Sequence, residues 1–119
     1  MKINYDGLRL KVTVRLEDGE GQRRFGPGVA ALLSRVREHR SLRAAAGAMG
    51  MAYSKAWRIV RSAEEVFGCK LLDSTIGGRN GGGAVLTPEA EALLAAYQAL
   101  SAEADAYAQE RFREHFGGL

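Results

Sequence analysis

Three cationic side chains recur at three-residue steps in the middle of the sequence: Lys55, Arg58 and Arg61. At the 3.6-residue period of a helix they share one face, where they could meet successive phosphates or base edges of a nucleic acid. Tyr53 and Ser54 stand at the start of the same segment, where a DNA-reading helix touches bases. The alternative for Tyr53 is a position flat against the helix that precedes this segment. The spacing therefore predicts a surface that binds double-stranded DNA.

The residues around this face have the pattern of a helix-turn-helix over residues 41–67. Ser41 stands where an N-cap is expected, and the alanine-rich run behind it is small enough to admit a second helix at short distance. Gly50 supplies the corner between the two helices. A recognition helix is predicted over residues 52–67, and Gly68 is a good residue to end it.

Further DNA contacts are predicted beside the recognition helix. Ser41 and Arg43 stand at the entry to the preceding helix, and amide groups at a helix N-terminus attract phosphate. Trp57 lies on the border between the buried and exposed faces, where an aromatic ring can serve either the core or the DNA.

A glycine-rich run, GGRNGGG, lies within residues 70–87, between two short apolar segments. This pattern predicts the two strands and the tip of a wing, with Arg79 at the tip as a contact to the DNA backbone. A nucleotide-binding loop would need GxxxxGK[ST], and no lysine follows these glycines. Because no nucleophile has an identifiable base either, an enzyme is not predicted.

A long last helix is predicted over residues 88–114. Thr87 can cap its first turn, and Pro88 fits there because the missing amide costs nothing. Four residues recur along it with spacings of four, three and seven, and they form a plausible seam between two copies of the chain. They are Leu93, Tyr97, Leu100 and Tyr107.

The chain opens with a predicted β-hairpin over residues 8–25. The run LRLKVTVRL, from Leu8 to Leu16, alternates apolar and polar residues, which is typical of a half-buried strand. A turn sequence follows, and residues 22–25 can return as a second strand. Beyond a Gly-Pro-Gly break, apolar residues at helical spacing predict a first helix up to His39.

Composition agrees with one globular unit. The chain has 119 residues, of which 46% are hydrophobic and 26% charged, enough for one modest core, so residues 1–119 are expected to form a single domain. No apolar run approaches a membrane span of roughly 18 residues, and a cytoplasmic location is expected. The single cysteine and two histidines make no ligand cluster, so neither a metal nor another cofactor is predicted.

The distribution of charge is more informative than the net charge of +3. Residues 35–61 hold seven cations against one acid, whereas residues 88–114 hold six acids against two cations. One end of the molecule is therefore suited to meet an anion.

Three stretches resemble the N-terminal winged-helix domain of the ModE family of molybdate-responsive regulators, itself similar to LysR-type DNA-binding domains. They are GPGVAALLSRV, SLRAAAGAMGMAYSKAW and GGRNGGGAVLTPEAEALLAAY, within about residues 25–97. The most specific feature is KAW, residues 55–57, paired with the GG-basic-GGG wing before LTP. The resemblance implies a dimeric bacterial transcription regulator that reads DNA with helix 52–67, touches the backbone with the wing and dimerises through helix 88–114.

Two departures from the ModE pattern shape further expectations. ModE carries a C-terminal molybdate-binding region of molbindin type, and the sequence ends at Leu119. We therefore expect a stand-alone regulator with no molybdate-binding domain in this chain. Ala52 stands where the family has a serine at the start of the recognition helix, which weakens that cap by roughly 1 kcal/mol.

Two classes of function follow from these patterns. The first is a sequence-specific, dimeric DNA-binding regulator. The alternative is a winged-helix module that binds another protein without sequence-specific DNA binding. Salt separates them, because a protein that neutralises phosphates loses affinity log-linearly as salt rises, whereas a mainly apolar protein interface does not.

Overall fold

A computed structural model describes residues 2–75 and 83–119 of the chain. Its elements in chain order are β1 (Leu16–Glu17), β2 (Arg23–Phe25), α1 (Pro27–His39), α2 (Leu42–Ala48), α3 (Tyr53–Phe67), β3 (Leu72–Thr75), β4 (Gly83–Leu86) and α4 (Pro88–Gly117). The predicted fold class is confirmed: a mainly helical winged helix-turn-helix with a small β component, an N-terminal β-hairpin and a long C-terminal helix.

Helix α1 lies at the centre of the core. Leu32, Leu33 and Val36 are fully buried, because apolar residues three and four positions apart share one helical face. Arg40 ends the helix in a left-handed conformation, with φ of 54°. The other buried apolar residues come from β2, the helices, β3 and the residue before β3: Phe25, Ala30, Leu42, Ala45, Ala46, Ala56, Val60, Ala63, Leu71, Leu72, Ala90, Leu94 and Tyr97.

The strands β3 and β4 pair antiparallel and form the base of the wing. Ala84 donates its backbone N–H to the carbonyl oxygen of Arg40 at 3.0 Å, which ties β4 to the end of α1. Thr87 joins the wing to α4. Its hydroxyl donates to the carbonyl oxygen of Lys70 at 2.7 Å and accepts from the backbone N–H of Ala90 at 3.1 Å, the cap that the sequence predicts.

The first strand is shorter than the alternating pattern predicts. Only Leu16 and Glu17 form β1, paired antiparallel with β2, so the expectation of a strand from Leu8 onward is wrong. Side chains still alternate between half-buried positions (Leu10, Val12, Val14 and Leu16) and exposed ones (Arg9, Lys11, Thr13 and Arg15). The reason is that this segment lies beside α4. The backbone N–H and C=O groups of a helix are already hydrogen-bonded within the helix, so they cannot pair with a neighbouring strand.

Contacts from the N-terminal segment reach far along α4. The side-chain amide of Gln109 donates to the carbonyl oxygen of Leu10 at 2.8 Å, and the ring of Tyr5 packs edge-on against that of Phe112, 6.1 Å between centroids. The segment therefore runs antiparallel to α4. The helix itself ends at Gly117, three residues beyond the predicted boundary.

Candidate nucleic-acid interface

Lys55, Arg58 and Arg61 lie on one exposed face of α3, as their spacing predicts. Ser54 is exposed beside them. The opposite face of the helix is held in the core by three fully buried residues: Ala56, Val60 and Ala63. Burial of that apolar stripe fixes the rotation of α3, so the three cations point away from the protein.

The corner between α2 and α3 follows the sequence closely. Gly50 has a φ of +66°, a left-handed conformation that favours glycine. Met51 donates its backbone N–H to the carbonyl oxygen of Ala46 at 2.9 Å, which closes the turn. Ser41 caps α2 by accepting from the backbone N–H of Ala44 at 3.0 Å, whereas Ala52 gives α3 no side-chain cap. The absent cap agrees with the departure noted in the sequence.

One flank of α3 borders a surface groove of about 430 Å³, called here the wing-side groove. It lies between the start of α2, the start of α3 and the wing strands. The groove brings together four of the predicted contact residues, although they are up to 16 positions apart in the chain. Its lining residues are Ser41, Leu42, Arg43, Ala44, Tyr53, Trp57, Leu72, Ser74, Gly83 and Ala84.

Two arginines stack on the aromatic pair in this groove. The guanidinium carbon of Arg43 lies 4.1 Å from the ring centroid of Tyr53, and that of Arg61 lies 5.3 Å from the ring centroid of Trp57. The two rings meet edge-on at 6.2 Å. Cation–π contacts of this kind hold a guanidinium in place while its N–H groups stay available to an acceptor. The arrangement suits phosphate binding.

The wing contact predicted at Arg79 lies outside the described residues, which end at residue 75 and resume at residue 83. The strands that lead to the tip are in place, since Thr75 pairs with Gly83 at the last described position of the ladder. The role of Arg79 therefore stays a prediction.

The other flank of α3 meets the N-terminal hairpin, a contact that the sequence reasoning missed. A groove of about 280 Å³ lies there, called here the hairpin-side groove, and its cationic lining includes Arg23, Lys55 and Arg58. Arg24 docks the hairpin by donating to the hydroxyl oxygen of Ser62 at 3.1 Å. The only signal in the sequence was the Arg-Arg pair in β2, which by itself does not indicate a neighbour 38 residues away.

One cation of the basic segment is already paired. The guanidinium of Arg37 donates through Nε to Glu91 Oε1 of α4 at 3.0 Å and forms an ion pair with the same carboxylate. This hydrogen bond lowers the pKa of Glu91 and raises that of Arg37. Arg37 therefore links α1 to α4, and Glu91 neutralises its charge. The positive charge that remains available to a ligand lies closer to α3 than the count of seven cations in residues 35–61 indicates.

The four residues predicted as a dimer seam are divided by the structure. Tyr97 is buried in the chain's own core, and Leu93 is partly buried against it. Leu100 and Tyr107 are 46% and 66% exposed. The division arises because α4 passes over the core only in its first half, and the second half extends beyond it.

Across residues 2–75 and 83–119, no three His, Cys, Asp or Glu side chains are grouped so that they could hold a metal ion. None of the helices described is both long and apolar enough to cross a membrane.

Three curated relatives match the chain. Molybdenum-pterin-binding protein MopB of Rhodobacter capsulatus is 39% identical over 79 residues, 66% of this chain and 29% of the relative. Molybdenum transport protein ModE of Herbaspirillum seropedicae is 37% identical over 70 residues, 59% of this chain and 26% of the relative. Molybdenum-pterin-binding protein MopA of Rhodobacter capsulatus is 32% identical over 77 residues, 65% and 29% respectively. The chain thus spans less than a third of the length of these relatives.

The bacterial regulatory helix-turn-helix protein, lysR family, matches residues 30–91, just over half of the chain. This range runs from α1 through the helix-turn-helix and the wing to the start of α4, so it contains α3 and the wing-side groove. The predicted resemblance is confirmed, and the helix-turn-helix is ModE-like. The chain belongs to the lysR family of bacterial regulatory helix-turn-helix proteins.

Proposed function

We propose that this chain is a sequence-specific, DNA-binding transcription regulator of bacterial type that acts as a dimer. Helix α3 lies in the major groove, and the wing follows the DNA backbone. The chain performs no catalysis. Family membership supports the regulator class, and the remaining details rest on the arrangement of charge and aromatic rings around α3.

The observation that carries this proposal is the cationic face of α3. Lys55, Arg58 and Arg61 are exposed together on the side of the helix opposite its buried alanines and valine. A helix fits the major groove, which is about 12 Å wide, and long cationic side chains on its outer face reach both phosphates and base edges. The stacked Arg43 and Tyr53 extend this surface toward the wing.

Dimerisation through α4 is supported by the second half of that helix. Tyr97 is the last buried residue on it, and the 20 residues that follow rise about 1.5 Å each, so roughly 30 Å of helix extends past the core. Leu100 and Tyr107 are exposed there, seven residues apart on one stripe. A two-fold dimer would present two copies of α3, so we expect a palindromic operator with half-sites a whole number of turns of about 10 to 10.5 base pairs apart.

The test compares the wild-type protein with a triple variant, Lys55→Ala, Arg58→Ala and Arg61→Ala, on duplexes selected from a random-sequence pool. Wild-type affinity should fall log-linearly with salt, and the slope should decrease in magnitude by about 0.9 for each phosphate contact that the variant loses. A matched control removes three exposed cations elsewhere, Arg9, Lys11 and Arg113. It should retain selected-site binding.

Unchanged DNA binding by the triple variant, with its helical circular dichroism intact, would refute the proposal. Salt-insensitive capture of a protein, without selection of any DNA sequence, would instead support the protein-binding alternative. The expectation that these residues bind no molybdate also stays a prediction. Calorimetric titration with molybdate checks it, and stoichiometric binding would contradict it.

A further inference from the structure

The N-terminal hairpin is held against α3 by the ring of Phe25, which packs edge-on against that of Phe67 at 6.0 Å, and by a polar anchor at Arg24. Arg24 is largely buried, with 15% of its side chain exposed. Its Nε donates to Asp18 at 2.9 Å, and its Nη1 donates to the hydroxyl of Ser62 at 3.1 Å and lies 3.6 Å from a carboxylate oxygen of Glu65. The charge of Arg24 is therefore satisfied inside the protein, and its task is to hold the hairpin on the helix.

Arg23 precedes this anchor and is exposed. Arg24 and Arg23 both line the hairpin-side groove, so the anchor at Arg24 also holds the backbone that carries Arg23. Arg23 borders the hairpin-side groove together with Lys55 and Arg58, and it also borders a neighbouring groove of about 300 Å³ that includes Arg15. The two grooves form one basic channel beside α3.

The stem of Arg15 passes close to Gly26, which lines the same groove. A Cβ atom at Gly26 would stand 3.2 Å from Cγ of Arg15, so a side chain there would require the stem of the arginine to shift by a few tenths of an ångström. Among the residues that the structure describes, no carboxylate lies within ion-pair distance of Arg15, Arg23, Lys55 or Arg58. The acidic residues Glu17 and Glu20 of the hairpin do not line the channel.

The channel and the wing lie on opposite flanks of α3. Tyr53 and Trp57 face the wing-side groove, whereas Lys55 and Ser62 face the hairpin. A helix seated in the major groove has a phosphate backbone on each side. The wing is placed to follow one of these backbones, and the channel is placed to meet the other.

We propose that the hairpin is a second backbone-binding element, in which Arg23, supported by Arg15, contacts phosphodiester groups of duplex DNA on the flank of α3 away from the wing. The inference rests on the proposed function, because it requires α3 to occupy the major groove. Phosphate contacts carry no sequence information. Arg23 therefore contributes to affinity and to the position of the protein along the duplex, and not to discrimination between bases.

The experiment measures DNA binding by Arg23→Ala, Arg23→Lys and Arg15→Ala across a series of salt concentrations, on a selected duplex and on a scrambled one. Arg23→Ala should weaken binding to both duplexes by the same factor, about tenfold, and should reduce the salt slope by about 0.9. Arg23→Lys should retain most of the affinity, since a phosphate accepts from either cation. Arg113→Ala, which removes an exposed charge near the far end of α4, should change neither quantity.

The outcomes separate the two proposals. If the wild-type protein shows no salt-dependent DNA binding, the proposed function fails. If it binds DNA but Arg23→Ala and Arg15→Ala both keep its affinity and slope, only the role of the hairpin is overturned. A change in preference between the two duplexes would indicate a base contact in place of the phosphate contact.

Titration with inorganic phosphate and with molybdate completes the test. If either ion binds the wild-type protein but not Arg23→Ala, and DNA binding by that variant is unaltered, the channel is a small-anion site instead.

Discussion

The phenolic hydroxyl of Tyr97 donates a 2.8 Å hydrogen bond to the backbone carbonyl oxygen of Val14. The two residues are 83 positions apart, and the contact joins the first third of α4 to the segment that leads into the hairpin. The same tyrosine ring packs against that of Phe25 at 5.0 Å between centroids. Tyr97 thus connects three parts of the chain, the N-terminal segment, β2 and α4.

Tyr97→Phe should lower the free energy of unfolding by about 1 kcal/mol, because it removes one partly buried hydrogen bond and keeps the ring. Urea unfolding followed by circular dichroism measures the change. Tyr5→Phe is the matched control, because it keeps a ring that packs on Phe112 and removes a hydroxyl that makes no hydrogen bond among the described residues, and it should leave stability unaltered. Equal losses in the two variants would contradict a specific role for the Tyr97 hydroxyl.

The stability of the hairpin should depend on pH through Asp18. Hydrogen bonds from the backbone N–H of Gln22, from the side chain of Arg24 and from the backbone N–H of Glu20 lower the pKa of Asp18 below its ordinary value of 3.8. Because the pKa is lowered on folding, the stabilisation is complete above the ordinary value and is lost as pH falls through the folded value.

Asp18→Asn should therefore melt at a lower temperature than wild type near neutral pH, and the difference should shrink as pH is lowered below 3.8. Thermal unfolding over a pH series checks this. Glu20→Gln removes a neighbouring exposed charge of the same turn and serves as the control. A melting-temperature difference between wild type and Asp18→Asn that grew toward acid pH would contradict the predicted direction of the pH dependence.

Substitutions on α3 should separate affinity from discrimination. Lys55→Ala or Arg61→Ala should weaken binding about equally on all duplexes, as expected for phosphate contacts. Arg58→Ala or Tyr53→Ala should reduce the preference for the selected sequence by about 1 to 3 kcal/mol, as expected for a base contact. Competition binding with point-substituted duplexes measures both effects, and a uniform loss in Arg58→Ala would assign that residue to phosphate.

The dimer can be tested at the exposed half of α4. The double variant Leu100→Glu and Tyr107→Glu should be monomeric in sedimentation. It should also lose tight operator binding, because a monomer contacts only one of the two half-sites. Ala95→Glu and Ala102→Glu add the same charges at exposed positions on the other side of the helix. That control should stay dimeric. A wild-type protein that sediments as a monomer and binds its operator one to one would exclude the dimer.

Two glycines of the helix-turn-helix should respond in opposite directions to alanine. Gly50→Ala should destabilise the fold by roughly 1 to 2 kcal/mol, because its φ of +66° is left-handed. Gly47→Ala should stabilise it by about 0.5 to 1 kcal/mol, because this position is helical and a Cβ there meets nothing within 4 Å. Thermal unfolding of the two variants checks the contrast. Changes of the same sign would indicate that the corner tolerates a side chain.

The sequence by itself determined the helix-turn-helix, the ends of its helices and the cationic face. Ser41 and Thr87 cap their helices by accepting from the backbone N–H three residues on, and Gly50 acts through its own backbone conformation, so these effects can be read from the chain. The face of α3 is likewise fixed by helical periodicity, because the apolar stripe must be buried and the cations must then face outward.

Only the tertiary structure decided what the N-terminal segment and α4 contact. Alternation along residues 8–16 indicates which side chains are buried but not which element they pack against. The neighbour is helix α4, which forms no strand-like backbone hydrogen bonds with this segment. The burial of Tyr97, the pairing of Arg37 with Glu91 and the placement of Arg23 beside Lys55 all depend on groups more than 30 residues apart. Such contacts are set by how whole elements pack, which no local pattern records.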